Sequence, residues 1–473
     1  MISFTQKSEK CDSKKLEVIF ETSETQSSEK ENEVNTDCYY KIGSILDKNK
    51  RSTNSFKEIS LEESKEALIE ESYFEITEIF EMGQMAILFF NKFGLMFFYL
   101  CMCVYLYGDL AIYSAAVATT MRDVTWWDYF STFKINSSNQ NLSNGIMNSI
   151  LKDSDPCWNS LNLSRLDAYR ILLALFATVS CPFVFLNLTK TKIIQYITIA
   201  MRWMAFGIMF SLMSIYLATG NKYGEVRLAD LTKSPNLLGV CIYSFMCHHS
   251  LPSLITPLKK KKNIFSLFFI NFVIILLFYM TLSVLSSFTF VNINSLVSLN
   301  FQPSSNPLQP SITNIAFFQY YLSLYPVFAI SASFPIIGIT LRNNLKNLIN
   351  CGTSRTHDIW FMEKMFYPLL ALIPPLLVVF VNSNVTFLVG FTGSYAGTFI
   401  QYVIPTCLVI CSKNKLKVFK GEIGSNSLRN NGVTDGNMEQ IHQSPFKSKI
   451  FYGVVLVWSG VSIIFVTINH FLQ

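Results

Sequence analysis

From about Met85 onward the chain carries nine stretches that are each long and apolar enough to cross a bilayer, and this repetition constrains the fold more than any other feature. They lie near 94 to 120, 168 to 188, 196 to 219, 237 to 257, 264 to 290, 316 to 341, 365 to 382, 385 to 411 and 450 to 471. A helix needs about 20 apolar residues to span the hydrocarbon. Lipid offers no partner to backbone N–H and C=O groups, so such segments satisfy them internally as helices. Half of the 473 residues are hydrophobic, 41 are Phe and only 15% are charged, against about 25% charged in soluble domains. The expected fold class is all-α: a polytopic transmembrane helix bundle of about nine helices. The seventh stretch, MFYPLLALIPPLLVVFV, is short and holds three prolines, so its ends are the hardest to set.

Residues 1 to 80 differ in kind. They are rich in Glu, Lys and Ser and include the fully polar run SETQSSEKENE, so they read as a disordered acidic, Ser-rich cytoplasmic tail ahead of a membrane domain at 81 to 473. The start, MISFTQKSEK, has no apolar core of the kind a signal peptide needs. The formal charge of +6 is spread over connections instead of forming one stripe, which argues against a nucleic-acid partner and for the lipid bilayer as the main one. Cysteines lie mostly inside apolar runs (Cys101, Cys103, Cys181, Cys241, Cys247, Cys407, Cys411), where they read as small packing residues. No Gly-rich phosphate loop, nucleophile elbow or paired carboxylates appear, so neither an enzyme nor a cofactor is expected.

Orientation follows from Lys and Arg in the connections. With the N-terminal tail cytoplasmic, the inside loops are 189 to 202, 258 to 263, 342 to 364 and 412 to 449, with 18 Lys plus Arg. The outside loops, 121 to 167, 220 to 236, 291 to 315 and 383 to 384, hold seven. Three glycosylation acceptors, at Asn136, Asn141 and Asn162, fall in the 47-residue loop that this assignment puts outside, and it is expected to be glycosylated. Asn187 would be cytoplasmic and Asn384 too close to the membrane.

The segment from Asn236 to Lys262 is unlike the other spans. Cys247, His248, His249 and Ser250 interrupt it, Pro252 withdraws a backbone donor, and Lys259 to Lys262 mark a cytoplasmic end. Imidazoles are expensive in hydrocarbon, so the interruption belongs among other helices or at a water-filled cavity. Broken helices of this type carry substrate sites in secondary transporters. Ser244, Cys247, His248 and His249 are therefore pathway candidates, as is Asp109, because an unpaired carboxylate at a helix centre costs about 2.5 to 3.5 kcal/mol on insertion scales. Tyr107 and Tyr113, with Tyr105, are candidates to line the same cavity. A structural hydrogen bond for Asp109 and plain packing for the tyrosines and histidines are the competing readings. His248 and His249 are about 100° apart on a helix and have no companion ligand motif, so no metal is expected. Gly390, Gly393 and Gly397 suit close helix approach.

Five blocks, VYLYGDLAIY (104 to 113), MRWMAFGIMF (201 to 210), GVCIYSFMCHHSLPSLITP (239 to 257), SFPIIGITLRNN (333 to 344) and VGFTGSYAGTFIQYVIP (389 to 405), resemble the transmembrane protein 104 family. This is a branch of the amino acid/auxin permease type of transporter, and the likeness runs in order from about Phe74 to Phe471. It implies eleven helices, the first ten forming two inverted five-helix repeats of the LeuT-like kind. Residues 74 to 86, FEITEIFEMGQMA, resemble the entry to the family's third helix, and residues 1 to 73 the acidic loop before it. The family's first two helices, one of them the discontinuous partner of 237 to 257, thus have no counterpart among the nine stretches, and the first repeat is expected to be truncated. The resemblance implies that the chain moves an amino acid or related small solute by alternating access. It also implies that Ser331 and Ser333, in the family's eighth helix, contribute hydroxyls to a sodium site, against which stands bonding to their own helix. Without the first helix pair the chain is expected not to transport, and to be poorly stable or to recruit a partner subunit. A non-transporting membrane scaffold or nutrient sensor is the contrary expectation. Plasma and endolysosomal membranes both suit the sequence.

Overall fold

The computed structural model describes residues 81–137, 156–158, 163–185, 192–220, 234–256, 258, 263–290, 293–303, 311–352, 361–427 and 448–472. All belong to one compact unit, Ile76–Gln473. The expected tail at 1 to 80, Asn141 and Asn162 lie outside these residues.

Among the described residues, eight helices are long and apolar enough to cross a membrane. In chain order the elements are α1 (Met82–Phe89), α2 (Lys92–Ser137), α3 (Arg165–Phe185), α4 (Lys192–Ala218), α5 (Ser234–Ser244), α6 (Leu251–Ile255), α7 (Ile264–Thr289), α8 (Ala316–Gly352), α9 (Tyr367–Val381), α10 (Val385–Thr392), α11 (Ile404–Ser427) and α12 (Lys449–Leu472). The ninth apolar stretch is α5, a one-turn 3₁₀ segment at His248–Ser250 and α6, so its interruption divides it into two short helices. A two-strand antiparallel ribbon, β1 (Pro156–Trp158) with β2 (Leu163–Ser164), precedes α3 and is the exception to an otherwise helical architecture.

Several helices outrun their hydropathy. α2 continues to Ser137, so Asn136 lies in its last turn and not in a free loop. α11 likewise enters the segment read as the 412 to 449 loop and runs to Ser427. α4 starts at Lys192, which puts Arg202, assigned above to the 189 to 202 loop, inside a membrane helix. Ten residues at 1.5 Å rise place it about 15 Å along the axis. Once the backbone is hydrogen-bonded, a helix gains one bond for each residue added, so it extends past its apolar part. The Pro-rich seventh stretch absorbs its irregularity in a π-turn at Met362–Phe366, which runs without a break into α9 just before Pro368, a residue that has no N–H to give the helix.

α2 and α8 share the most extensive helix contact, and α3 and α9 pack on both. The main core joins Phe98, Met102, Leu106 and Leu110 of α2 to Phe176 of α3, Phe334 and Leu341 of α8, and Leu372 of α9. Phe176 meets Phe334 edge to face at 5.1 Å, the arrangement favoured by ring quadrupoles. A separate cluster joins Ala205, Met209 and Met213 of α4 to Phe290, Phe301 and Leu322. At one end of α2 and α3, Asp123 accepts from Arg122 (2.8 Å) and from Arg165 (2.7 Å), and Arg122 lies over the Tyr169 ring. Arg122 is buried, so losing Asp123 would remove the partner of a buried charge.

Candidate functional site

The helix break follows from its residues. α5 ends at Ser244, Phe245 and Met246 make last-turn bonds to Cys241 and Tyr243, and Cys247 leaves helical geometry with φ −132° and ψ 4°. Pro252 has no N–H to give a continuous helix, but it fits the first turn of α6, where no acceptor is required. The chain therefore restarts a helix at Leu251 after three residues of 3₁₀ turn.

Small residues bring the broken segment against two others. A β-carbon at Gly239 would overlap the Ser394 hydroxyl and the Gly390 carbonyl, and one at Gly393 would overlap the Gly239 carbonyl. A β-carbon at Gly108 would overlap Thr392. α5 and α10 thus approach backbone to backbone, and α10 in turn lies on α2 at Gly108. Beyond α10 the helix widens into two π-turns, Gly393–Gly397 and Phe399–Val403, a distortion frequent at functional sites. The fully buried Ser394 hydroxyl has no hydrogen-bond partner among the described residues.

This crossing delivers Tyr243 to Asp109. The tyrosine, one turn beyond Gly239, donates to the carboxylate at 2.6 Å, and Asp109 is only 4% exposed. Tyr105, one turn earlier on α2, lies beside the same carboxylate, and Tyr113, one turn later, lies near it. His249 stacks obliquely on Tyr105 with ring centroids 5.5 Å apart. The buried Nδ1 atoms of His248 and His249 have no hydrogen-bond partner among the described residues. The result is a buried carboxylate held by phenols, beside a histidine pair with uncommitted ring nitrogens. Such a group can accept a cation, an ammonium or a proton, because hydrogen bonds to the charged form offset part of the cost of desolvation.

Other sequence candidates are placed differently. Tyr107 points away from Asp109 and donates to the Leu370 carbonyl of α9 at 2.7 Å. Ser244 is exposed and bonds Val240 of its own helix (2.8 Å), while Cys247 is half-buried at the break. Ser333 donates to Ala329 in α8 (3.3 Å), and half-buried Ser331 has no hydrogen-bond partner among the described residues. Gly390, Gly393 and Gly397 all sit against α5 or the chain just beyond it. Two residues escaped the sequence reading. Tyr243 could have been found from its position one turn after Gly239 in the broken segment, and Arg202 from its place well inside an apolar run.

A family model described as the tryptophan/tyrosine permease family matches residues 143–427. Transmembrane protein 104 of Homo sapiens is 42% identical over 403 residues, 85% of this chain and 74% of that protein. The Gallus gallus protein of the same name is 41% identical over 398 residues, 84% and 73% of the two chains. A transmembrane protein 104 homolog of Drosophila melanogaster is 38% identical over 404 residues, 84% and 75%. With eight apolar helices and a permease-type sequence, this is a multi-pass integral membrane protein of transporter-like type. The matched residues of the family model take in the broken helix, and the chain belongs to the transmembrane protein 104 family.

Proposed function

We propose that the chain moves an amino acid across its membrane by alternating access, with the substrate amine received near Asp109. The observation that carries this reading is the 2.6 Å hydrogen bond from Tyr243, on a broken helix, to a buried carboxylate on α2. Ionisable groups are retained inside membranes chiefly at substrate and ion pathways, and discontinuous helices supply such sites in transporters. The permease description of the matching family supports an amino acid as cargo, with tryptophan and tyrosine as the first solutes to test.

Uptake of labelled L-tryptophan and L-tyrosine into proteoliposomes tests it. Asp109→Asn is expected to reduce uptake far more than it reduces surface abundance. Equal losses of both would make Asp109 a structural hydrogen-bond partner, and no uptake by the wild-type chain would favour either the sensor or scaffold reading or the expectation that the chain does not transport without the family's first helix pair. We propose as well that the connection between α2 and α3 lies on the lumenal or outer side, supported by the Lys and Arg asymmetry and by the acceptors at Asn136, in the last turn of α2, and at Asn141 and Asn162. An N-glycosidase should increase gel mobility of the wild type, and the triple Asn→Gln variant should not respond. An unchanged wild-type band would remove the glycosylation proposal.

A further inference from the structure

Arg202 is a charged residue well inside α4 that the Asp109 site leaves without a role. Its helical phase is informative: Ala205 and Met209, three and seven residues on, are buried against α8 and the end of α7, whereas Trp203, Met204 and Gly207 on other faces are exposed. Three and seven residues are one and two turns, so Arg202 shares the inward face. Neighbouring contacts fix the level at which it lies. Tyr321 of α8 donates to the Met201 carbonyl at 2.9 Å, and Phe206 meets Tyr325 of α8 (6.1 Å) and Phe278 of α7 (5.1 Å) ring to ring. Arg202 is within electrostatic range of Tyr325, of Tyr279 next to Phe278, and of Tyr113 on α2. Tyr279 in turn meets Phe245, at the end of α5, with ring centroids 5.7 Å apart.

Ring contacts thus run from α4 to the broken segment, Phe206 on Phe278 and Tyr279 on Phe245, and Phe245 lies two residues beyond the Tyr243 that holds Asp109. Arg202 has no hydrogen bond or ion pair to any described residue, and its side chain is exposed. A guanidinium inside a span is retained when it faces the bundle interior and has an anion to meet. Its planar fork matches a carboxylate in two-point geometry.

We propose that Arg202 is the carboxylate-binding residue of this site, so that the substrate is held as a zwitterion between Arg202 and Asp109. The inference rests on the amino acid reading above and specifies how the cargo is recognised. It excludes plain amines and plain organic acids as equal substrates, because each would leave one of the two charges unmet.

The test is binding of L-tryptophan, tryptamine and indole-3-propionate to the full chain in lipid nanodiscs. Arg202→Gln should weaken L-tryptophan and indole-3-propionate by about tenfold or more and leave tryptamine nearly unchanged, because only the first two carry a carboxylate. Asp109→Asn should do the reverse, weakening L-tryptophan and tryptamine while sparing indole-3-propionate. Arg202→Lys keeps the charge but not the fork, so it should lower L-tryptophan affinity several-fold and again spare tryptamine. It also carries the test if the glutamine variant does not fold. Unselective loss of all three ligands in the lysine variant overturns the proposal. L-tryptophan binding that ignores both Arg202 substitutions overturns the proposal and leaves the amino acid reading intact. Indole-3-propionate binding through Arg202, with no L-tryptophan binding, keeps the carboxylate site and overturns the amino acid reading. A wild type that binds none of the three overturns both.

Discussion

α2 and α7 are both strongly apolar spans, yet 61% of the most apolar stretch of α2 is buried in protein and none of the corresponding stretch of α7 is. The contrast lies in side-chain size. Between Gly108 and Ala118, α2 carries Gly108, Ala111, Ser114, Ala115, Ala116 and Ala118, whereas α7 contains no Gly or Ala, keeps its serines near its ends (Ser266, Ser283, Ser286, Ser287) and fills the surface between them mostly with Phe, Ile and Leu. In lipid no hydrophobic force draws one apolar helix to another, so close packing by small residues decides which helices become central. A central helix can then keep a carboxylate, because its neighbours supply the donors. α7 has no such shelter to offer, and its exposed Phe265, Phe269 and Leu277 suit acyl chains. What the pair teaches is that hydropathy identifies a span, while residue size identifies its place in the bundle.

The sharpest challenge to that contrast is a matched truncation of one phenylalanine in each region. Phe334→Ala empties a site with no exposure that faces α2 and α3, and should lower stability by about 3 to 5 kcal/mol. Phe269→Ala on α7, where the ring is 60% exposed, should stay within about 0.5 kcal/mol. Denaturant midpoints of purified protein would measure both, and comparable losses would break the comparison. Overpacking comes next. Gly239→Val puts methyl groups into the Gly390 carbonyl and should cost about 1 to 3 kcal/mol or more, visible as a lower melting temperature by size-exclusion chromatography after heating. A neutral result would mean that α5 and α10 do not touch.

Tyr243→Phe removes a donor to the Asp109 carboxylate and should cost about 1.5 to 3 kcal/mol, with uptake falling further than folded protein. Tyr279→Phe on α7 serves as its counterpart and should leave stability unchanged, since that side chain is 40% exposed. If both substitutions act alike on thermal stability, the phenol held at Asp109 is not special. The smallest expected effect is that of Tyr107→Phe, which deletes a neutral hydrogen bond to Leu370 between two core helices and should cost about 0.5 to 1.5 kcal/mol with uptake unchanged. A selective uptake defect would return Tyr107 to the substrate pathway.

The legible parts of the site were those whose chemistry is costly in lipid. Asp109, the His248–His249 pair and Pro252 stand out in sequence because each demands a neighbour or a break. Tyr243 did not stand out, since a phenol packs in a membrane helix as readily as it donates a bond, and only its contact with Asp109 distinguishes the two uses. Arg202 was hidden for another reason. Lys190 and Lys192 precede it, so a hydropathy reading extends the basic connection to include it, although the backbone is helical from Lys192. Tyr107 was grouped with Asp109 by proximity in sequence, whereas two residues along a helix turn a side chain through about 200°.

The sequence alone determined that the chain crosses the membrane repeatedly as helices and that its fourth apolar stretch is interrupted, because bilayer thickness, backbone hydrogen bonding and proline geometry act locally. The family blocks were likewise legible as strings. Tertiary structure decided the rest: that Gly239, Gly390 and Gly393 form one crossing, that this crossing carries Tyr243 to Asp109, and that Arg202, though exposed, shares a side of α4 with the buried Ala205 and Met209. Those outcomes depend on which small residues meet across helices far apart in the chain, and no local preference specifies that choice.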